Sequence, residues 1–323
     1  MIDDLATAAR PAAAHALLRR RGVCRLDDGR WVVAGAAAVT TLLCSPDAVV
    51  PTPAHDDVVR GAMARLSEGD AHRRRRAVAV EALARLDPAA LRRRSRERTL
   101  AIVAGATGSL DVMAAVAREV PVAVLAEALG AGDVAAACDA TRRLRLALAP
   151  PRGQRPAPAR PALDDLVALL PEASVGPAER GVNLAALLFQ ASDATAGLIG
   201  NALLARRSGA TADQTIAAVL RDDPPVQHTV RHIRRPLALD GKHLEPDDVV
   251  VAVLAAAAAG DPELAFGAGR HRCPGSAHAV AIAAGVLDGL ADVAVRPADG
   301  YEPRANLRIP GRLLTVDPGP AER

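Results

Sequence analysis

Apolar residues recur at intervals of three and four along most of the chain, which is the spacing of one face of an α-helix. The pattern predicts helices at about 5–21, 35–44, 72–85, 88–105, 109–129, 133–147, 179–206, 212–221 and 275–291. The first of these ends at Arg19-Arg20-Arg21-Gly22, where basic residues precede a glycine as at many helix C-termini. Most of the chain is therefore expected to be helical.

Short stretches with a β pattern lie between the helices. Asp28-Gly29 separates the apolar runs at 23–26 and 31–33, and this pair is a strong signal for a β-hairpin. Further short strands are expected over 226–254, on both sides of a Leu-Asp-Gly-Lys turn, and weaker ones over 292–316.

The segment 150–161 contains five prolines and cannot form the interior of a helix, so it is expected to be a stiff connector. No internal repeat divides the chain. Together the elements predict a mainly α fold with a small β-sheet, in a single domain that spans residues 1–323.

The composition limits the kind of core and the kind of site. Only four residues are aromatic, so the core must be built from Ala, Leu and Val, which favours closely packed helices. The four cysteines are far apart and include no Cys-x-x-Cys pair: Cys24, Cys44, Cys138 and Cys273. Neither a disulfide framework nor a zinc knuckle is therefore expected.

Charge and hydropathy argue against two classes of partner. The net charge of +3 is small for 323 residues, and the basic runs lack interleaved aromatic residues, so nucleic-acid binding is not expected. The longest apolar run, Val249–Ala259, has eleven residues, which is too short to span a bilayer. The opening Met1-Ile2-Asp3-Asp4 lacks the basic start of a secretory signal. These features predict a soluble, cytoplasmic protein.

The strongest chemical signal is a glycine-rich stretch before the last predicted helix, Phe266-Gly267-Ala268-Gly269-Arg270-His271-Arg272-Cys273-Pro274-Gly275. A cysteine that binds haem iron does so as a thiolate, whose negative charge needs stabilisation. Backbone N–H groups of such a loop, and the N-terminus of the following helix, supply partial positive charge. The glycines let the loop pass close beneath a flat porphyrin.

This stretch resembles the haem-binding signature of cytochrome P450, Phe-Gly-x-Gly-x-His/Arg-x-Cys-x-Gly, at every fixed position. The resemblance implies a reduced cytochrome P450-like fold that binds haem b, with Cys273 as the proximal iron ligand. It also implies that His271 contacts a haem propionate. The remaining fixed positions are then cofactor contacts as well: Phe266, Gly267, Gly269 and Gly275.

Two other segments resemble parts of the same family that bind propionates. Residues 71–76 are similar to its C-helix motif His-x-x-x-Arg. This implies that His72 and Arg76, which are four positions apart and share a helix face, bond to propionates. Arg231 follows a segment that resembles the chain after the family's K helix, and it falls where a propionate-binding arginine is expected.

Residues 187–201 are similar to the family's distal I helix, which implies that Ala191 contacts the cofactor. Family members usually place Asp or Glu directly before Thr and deliver protons through this pair, whereas here Asp193 is followed by Ala194, with Thr195 next. One position rotates a helical side chain by about 100°, so Thr195 cannot simply replace the missing hydroxyl. Asp193 and Thr195 remain the candidate catalytic residues. Either Asp193 still relays protons, or a substrate group holds the water, or dioxygen is not used in the usual way.

Two more departures from the family affect the other half of the chain. The family's K helix carries Glu-x-x-Arg, but the four residues here are Ala218-Val219-Leu220-Arg221. The long meander that normally precedes the Cys loop is missing, because residues 260–263 run straight into Leu264-Ala265-Phe266. Losing both together avoids a buried, uncompensated glutamate. Arg221 then needs another partner, such as a nearby carboxylate or water.

The substrate side and the charged surface suggest partners. The connector at 150–161 replaces much of the helix pair that normally covers the pocket, so the pocket is open, or the substrate is small, or a carrier protein presents it. Arg270, Arg272 and Arg73–Arg75 are expected around the face nearest the thiolate. A positive face there would suit an acidic ferredoxin. Alternatively, these arginines only solubilise the face or neutralise propionates.

Three functions follow from these features. The leading hypothesis is a haem-thiolate oxidoreductase of the monooxygenase type, which oxidises a small organic substrate in specialised metabolism. The second keeps haem but uses peroxide, or isomerises, dehydrates or forms a bond, and the altered Asp–Thr pair favours it. The third is a haem-free binding or recruitment protein, which the missing Glu and meander favour and the intact Cys loop opposes.

Overall fold

The computed structural model describes residues 2–8, 11–55, 57–171 and 178–316. Its helices are α1 (Ala12–Arg21), α2 (Ala36–Cys44), α3 (Val58–Gly61), α4 (Gly69–Ala84), α5 (Pro88–Ala104), α6 (Glu119–Ala128), α7 (Val134–Leu148), α8 (Ala159–Leu169), α9 (Ala178–Ala205), α10 (Ala212–Asp222), α11 (Leu254–Ala257) and α12 (Ser276–Gly289). Its strands are β1 (Cys24–Arg25), β2 (Trp31–Val33), β3 (Ala48–Val49), β4 (Thr229–Ile233), β5 (Leu237–Leu239), β6 (Lys242–Leu244), β7 (Val249–Ala252), β8 (Val295–Pro297) and β9 (Leu313–Thr315). The predicted mainly α fold with a small sheet is confirmed.

Helix α9 lies at the centre of the helical part. Its first half packs into one apolar cluster with α4, α6, α7 and α8, and its second half packs into another with α6, α10 and α12. By length and composition α9 could cross a membrane over Glu179–Ala205, but 78% of the apolar stretch is buried inside the protein. This burial is that of a core helix, which is apolar on all sides because it is surrounded by other elements.

Helices α5 and α12 approach each other unusually closely, and two glycines make this possible. A Cβ atom added at Gly285 would lie 2.1 Å from the Arg92 carbonyl oxygen, and one at Gly289 would lie 2.8 Å from Thr99. The close contact fixes the direction of α12, and therefore the place of the Cys loop that precedes it.

The main sheet has the strand order β1-β2-β7-β4-β3. The β2–β7 pair is parallel, and the other pairs are antiparallel. The predicted Leu-Asp-Gly-Lys turn joins β5 to β6, with positive φ at both Asp240 and Gly241, as a two-residue hairpin loop requires. The strands expected over 226–254 and 292–316 are therefore present, in short form.

Prolines explain three differences between the predicted and the observed helices. Helix α1 begins only at Ala12, after Pro11. The helix expected at 109–129 contains a π turn at Met113–Ala117, because the ring of Pro121 displaces the carbonyl group four positions earlier. The connector expected at 150–161 is shorter than predicted, because α8 already begins at Ala159. Pro161 is tolerated in the first turn of α8, because the backbone N–H groups of that turn have no partner within the helix.

Candidate functional site

The Cys loop is a tight turn between a short 3-10 turn at Pro262–Phe266 and α12. The Cys273 N–H donates to the Phe266 carbonyl oxygen over 2.9 Å and closes the loop. Gly267 and Gly269 both have positive φ, which favours glycine. A Cβ at Gly269 would lie 2.4 Å from the Leu43 carbonyl oxygen, whereas one at Gly267 would meet no atom within 4 Å. Gly269 is therefore needed by the packing on α2, and Gly267 borders open space.

The thiol of Cys273 is partly buried beside two guanidinium groups. Burial raises its pKa, and the Gly275 N–H, Arg272 and Arg76 oppose that rise. Arg76 is held in place by a 2.7 Å hydrogen bond from its Nη2 to the Arg272 carbonyl oxygen. A bound metal cation would shift this balance to the thiolate, because a coordinating thiol loses its proton.

A cluster of ionisable side chains joins the start of α4 to the Cys loop. The His72 and His271 rings have centroids 4.2 Å apart, and His72 is buried. Glu68 accepts a hydrogen bond from Arg270 Nε over 2.7 Å and lies 3.2 Å from His271 Nε2. Burial raises the pKa of Glu68, but the bonds from Arg270 and the Val50 N–H outweigh it and lower the pKa to about 2.

Arg231 completes this cluster from strand β4. Only 4% of the residue is exposed, and its Nη1 donates to Thr229 Oγ1 and to the Val230 carbonyl oxygen, over 3.1 and 2.8 Å. Within the described residues its Nε has no hydrogen-bond partner, and no carboxylate forms an ion pair with it. Burial, followed by repulsion from Arg270, lowers the pKa of Arg231 to about 10.

The candidate catalytic residues on α9 are buried. Asp193 Oδ1 lies 3.4 Å from Arg145 Nη1, and Asp193 Oδ2 lies 3.5 Å from Arg304 Nη2. Neither oxygen has a well-aligned hydrogen bond in the part of the chain that is described. Thr195 is 3% exposed. The sequence did not indicate the two arginines, which lie on α7 and near the C-terminus, far from Asp193 along the chain.

No protein-family model matches the sequence, and no curated protein matches it. Solved structures match closely in shape. CalO2 aligns with a TM-score of 0.77 at 22% identity, over 97% of this chain and 96% of its own. The P450 enzyme CxnD, described as acting in C–S bond formation in chuangxinmycin biosynthesis, aligns at 0.79 with 18% identity, over 97% and 96%. P450BioI, in a complex with an acyl carrier protein ligated to hexadec-9Z-enoic acid, aligns at 0.76 with 17% identity, over 95% and 98%.

The chain has the cytochrome P450 fold. The resemblance that the Cys loop suggested is therefore confirmed for the architecture of the whole chain. In this P450 fold, α4, α9 and the loop before α12 carry the residues that the motifs singled out. His72, His271 and Arg231 come together in one cluster, and Arg76 lies beside Cys273. Ala191 lies on α9 and packs against the apolar cluster of the first half of that helix, and its contact with the cofactor stays a prediction.

The residues of the P450 fold fit haem b. Arg231 is buried without a carboxylate partner among the described residues, and Glu68 is the carboxylate that Arg270 and His271 share. Two propionates would supply the negative charge that this cluster lacks. No group of three His, Cys, Asp or Glu side chains within the described ranges could hold a metal ion by itself.

Arg221, which lacks a K-helix glutamate as its partner, pairs with a nearby carboxylate instead. Its Nε and Nη2 contact the neighbouring Asp222 at 2.9 and 2.7 Å, and both side chains are exposed. A second ion pair at the end of α10 joins the half-buried Asp223 to the buried Arg308, at 2.8 Å. The Arg308 guanidinium also lies 3.5 Å from the Tyr301 ring centroid.

The surface around the thiolate loop is less positive than expected. Arg270 points inward, where it also donates to the Ser45 and Ala48 carbonyl oxygens, so it adds nothing to that surface. The other arginines have acidic neighbours: Arg272 has Glu263, Arg73 has Asp70, and Arg74 and Arg75 share Glu179. Local carboxylates therefore offset part of the positive charge that these arginines bring, and the two roles considered for them, steering of a ferredoxin or solubilisation, both stay predictions.

Proposed function

We propose that this protein is a single-domain haem-thiolate oxidoreductase of the monooxygenase type, which oxidises a small organic substrate in specialised metabolism in the cytoplasm. The observation that carries the proposal is the pairing of two features. Cys273 lies in a loop whose Gly275 N–H and neighbouring arginines stabilise a thiolate, and Arg231 is a buried cation without a carboxylate partner among the described residues. A flat cofactor with a central metal and two negative charges would bind the thiolate through its metal and would pair with Arg231 through its negative charge.

When bound, haem would supply the redox chemistry, including O–O bond cleavage, which a thiolate ligand would favour. Cys273 would be the ligand, and Arg76 and the Gly275 N–H would stabilise its charge. His72, His271 and Arg231 would bind the propionates. An acidic ferredoxin is the proposed electron donor, although the balanced charges near the loop make electrostatic steering weaker than the sequence suggested.

A second candidate is a haem enzyme that does not use the usual proton delivery to dioxygen. The arrangement of Asp193 favours it, because Arg145 and Arg304 hold the carboxylate on both sides. CxnD, which has this fold and acts in C–S bond formation, is a precedent for such chemistry. P450BioI forms a complex with a loaded acyl carrier protein, which supports a carrier-bound substrate as one form of the proposed ligand.

The deciding experiment is an absorption spectrum of the purified protein with haem, dithionite and CO. We expect the long-wavelength Soret band of a CO-bound thiolate haem. Cys273→Ala should lose this band, and Cys44→Ala, which changes an exposed cysteine, should keep it. A folded protein that binds no haem would support the recruitment hypothesis instead. Turnover with peroxide, or without any electron donor, would separate the second candidate from the first.

A further inference from the structure

Several arginines surround one turn of α9, apart from the residues proposed to hold haem. Phe189 and Asp193 are four positions apart and share a face of this helix. Arg145 and Arg304 contact Asp193, and the Arg65 guanidinium carbon lies 5.3 Å from the Phe189 ring centroid. The three cations come from separate parts of the chain, so only the fold brings them to this turn.

Two arginines of this region bind carbonyl oxygens at the C-terminal end of α7. Arg60 donates to the Leu148 carbonyl oxygen, and Arg304 donates to the next carbonyl oxygen, that of Ala149. Carbonyl groups at a helix C-terminus lack partners within the helix and carry partial negative charge, so guanidinium groups bind them well. The arginines are therefore held close to one another in spite of their like charge.

The carboxylates of this region do not balance its cations. Arg60 pairs with Asp57, and Glu302 serves both Arg118 and Arg304. Among the described residues, the side chains joined by these contacts are five cations and three anions: Arg60, Arg65, Arg118, Arg145, Arg304, Asp57, Asp193 and Glu302. Within this described set, two positive charges are left over beside the turn of α9 that carries the candidate catalytic residue Asp193.

Arg65 is the cation of this set that is open to a ligand. It is exposed to solvent, and in the described part of the chain it makes no hydrogen bond or ion pair. Although the residue as a whole is exposed, its guanidinium lies among neighbouring atoms; this desolvation, followed by repulsion from Arg60, lowers the pKa of Arg65, and Asp57 only partly opposes this. The group is thus both accessible and short of negative charge.

The position of Arg65 is also well defined. Ala64, its neighbour in the chain, donates its N–H to Asn183 Oδ1 over 2.8 Å, and Asn183 Nδ2 donates to the Ala62 carbonyl oxygen over 3.1 Å. These bonds fasten the segment to α9. Packing on the face of Phe189 orients the guanidinium further. A planar group with a fixed orientation can bind a carboxylate through two parallel hydrogen bonds.

We propose that the substrate is a carboxylic acid and that Arg65 binds its carboxylate, in the positive field of Arg145 and Arg304. The inference rests on the proposed function, because it names the class of substrate for the proposed enzyme. Asp193 does not repel such a substrate, since two arginines already neutralise it. Arg65 acts in binding and orientation, and takes no part in the chemical step.

The test is calorimetric titration of the haem-loaded protein with straight-chain acids from hexanoate to tetradecanoate and with phenylbutyrate, each beside its primary amide. We expect acids to bind about 10- to 100-fold more tightly than the matching amides, the range for a hydrogen bond to a charged group. Arg65→Gln should remove this preference, and Arg65→Lys should keep part of it. Arg74→Gln is the matched control, because Arg74 is an exposed arginine on α4.

The inference would be overturned by equal binding of acids and amides across the series, by no binding of either, or by an acid preference that persists in Arg65→Gln. Ligand-free unfolding gives a second readout. Arg65→Gln should leave the unfolding midpoint unchanged or raise it, because it removes an unbalanced cation; a lower midpoint with an intact acid preference would instead assign Arg65 a structural role. A variant that shows the thiolate spectrum but no acid preference contradicts only this inference, whereas a missing thiolate spectrum contradicts the proposed function.

Discussion

His72 on α4 stacks against His271 in the Cys loop, with 4.2 Å between the ring centroids. Both rings have lowered pKa values, that of His271 to about 4, chiefly through burial. At neutral pH they are therefore uncharged and can pack against each other without repulsion. The contact joins the two sequence motifs directly.

Arg231→Met should weaken haem binding without harming the apoprotein. The arginine is buried, and no carboxylate pairs with it in the described part of the chain, so a flexible apolar side chain removes a desolvation cost. We expect an unchanged or higher unfolding midpoint, and a haem dissociation constant about 10- to 100-fold larger through the loss of charge-assisted hydrogen bonds. Haem titration and thermal unfolding measure the two effects. Arg235→Met, at an exposed position just after the same strand, should change neither.

Glu68→Gln should destabilise the fold, because Glu68 holds Arg270 and through it the start of the Cys loop. We expect a loss of roughly 1–3 kcal/mol in the free energy of unfolding at neutral pH. The pKa of Glu68 is lowered from 4.5 to about 2, so its contribution is complete above pH 4.5 and disappears as the pH falls towards 2. Urea unfolding of both proteins should therefore show a difference that shrinks in acid. A constant difference down to about pH 2 would contradict the ion pair.

Asp193→Asn tests whether this carboxylate is a structural anchor. The substitution leaves Arg145 and Arg304 buried without their shared partner, which should cost about 3–5 kcal/mol of stability. The control is Asp165→Asn, which removes an exposed carboxylate that contacts Arg143 and should cause no measurable change. Denaturant unfolding gives both values. If Asp193→Asn is as stable as the parent but loses turnover, the carboxylate acts in proton delivery and its ion pairs are incidental.

Arg308→Gln and Arg221→Gln should differ sharply, although both arginines contact an aspartate at the end of α10. Arg308 is 2% exposed, and it also donates to the Ala8 carbonyl oxygen over 2.6 Å. Its loss leaves the half-buried Asp223 without its cation, so we expect a cost of about 1–3 kcal/mol. Arg221 is exposed, and its replacement should leave the unfolding midpoint unchanged. Thermal unfolding of the two variants checks this, and equal midpoints would contradict it.

Local sequence signals predicted most of the secondary structure and the chemistry of the loop. The helical period located α4, α9 and α12, and the Asp-Gly turn of the β5–β6 hairpin was predicted from its residues alone. The missed helix α8 has a different cause. Its start was not recognised because Pro158 and Pro161 lie there. A proline in the first turn of a helix cannot be distinguished from a proline in a loop by the sequence alone.

Ion pairs between segments that are distant in the chain could not be predicted from local patterns in the sequence. Glu68 meets Arg270 and Asp193 meets Arg304 only because α4, α9 and the C-terminal segment converge. An arginine or glutamate on a helix surface looks the same in the sequence whether it faces water or a partner from another helix. The carboxylates that pair with the arginines near the thiolate loop were therefore not predicted, whereas the loop itself was identified.

The sequence by itself determined where most helices and turns lie and which cysteine is the candidate iron ligand, because backbone periodicity, glycine at positive φ and the spacing around Cys273 are local properties. The tertiary structure decided which charges are paired, buried or left over. Coulomb energies depend on distance and burial, and both are set only when segments far apart in the chain pack together. That is why Arg231 and Arg65 acquire their proposed roles only in the folded protein.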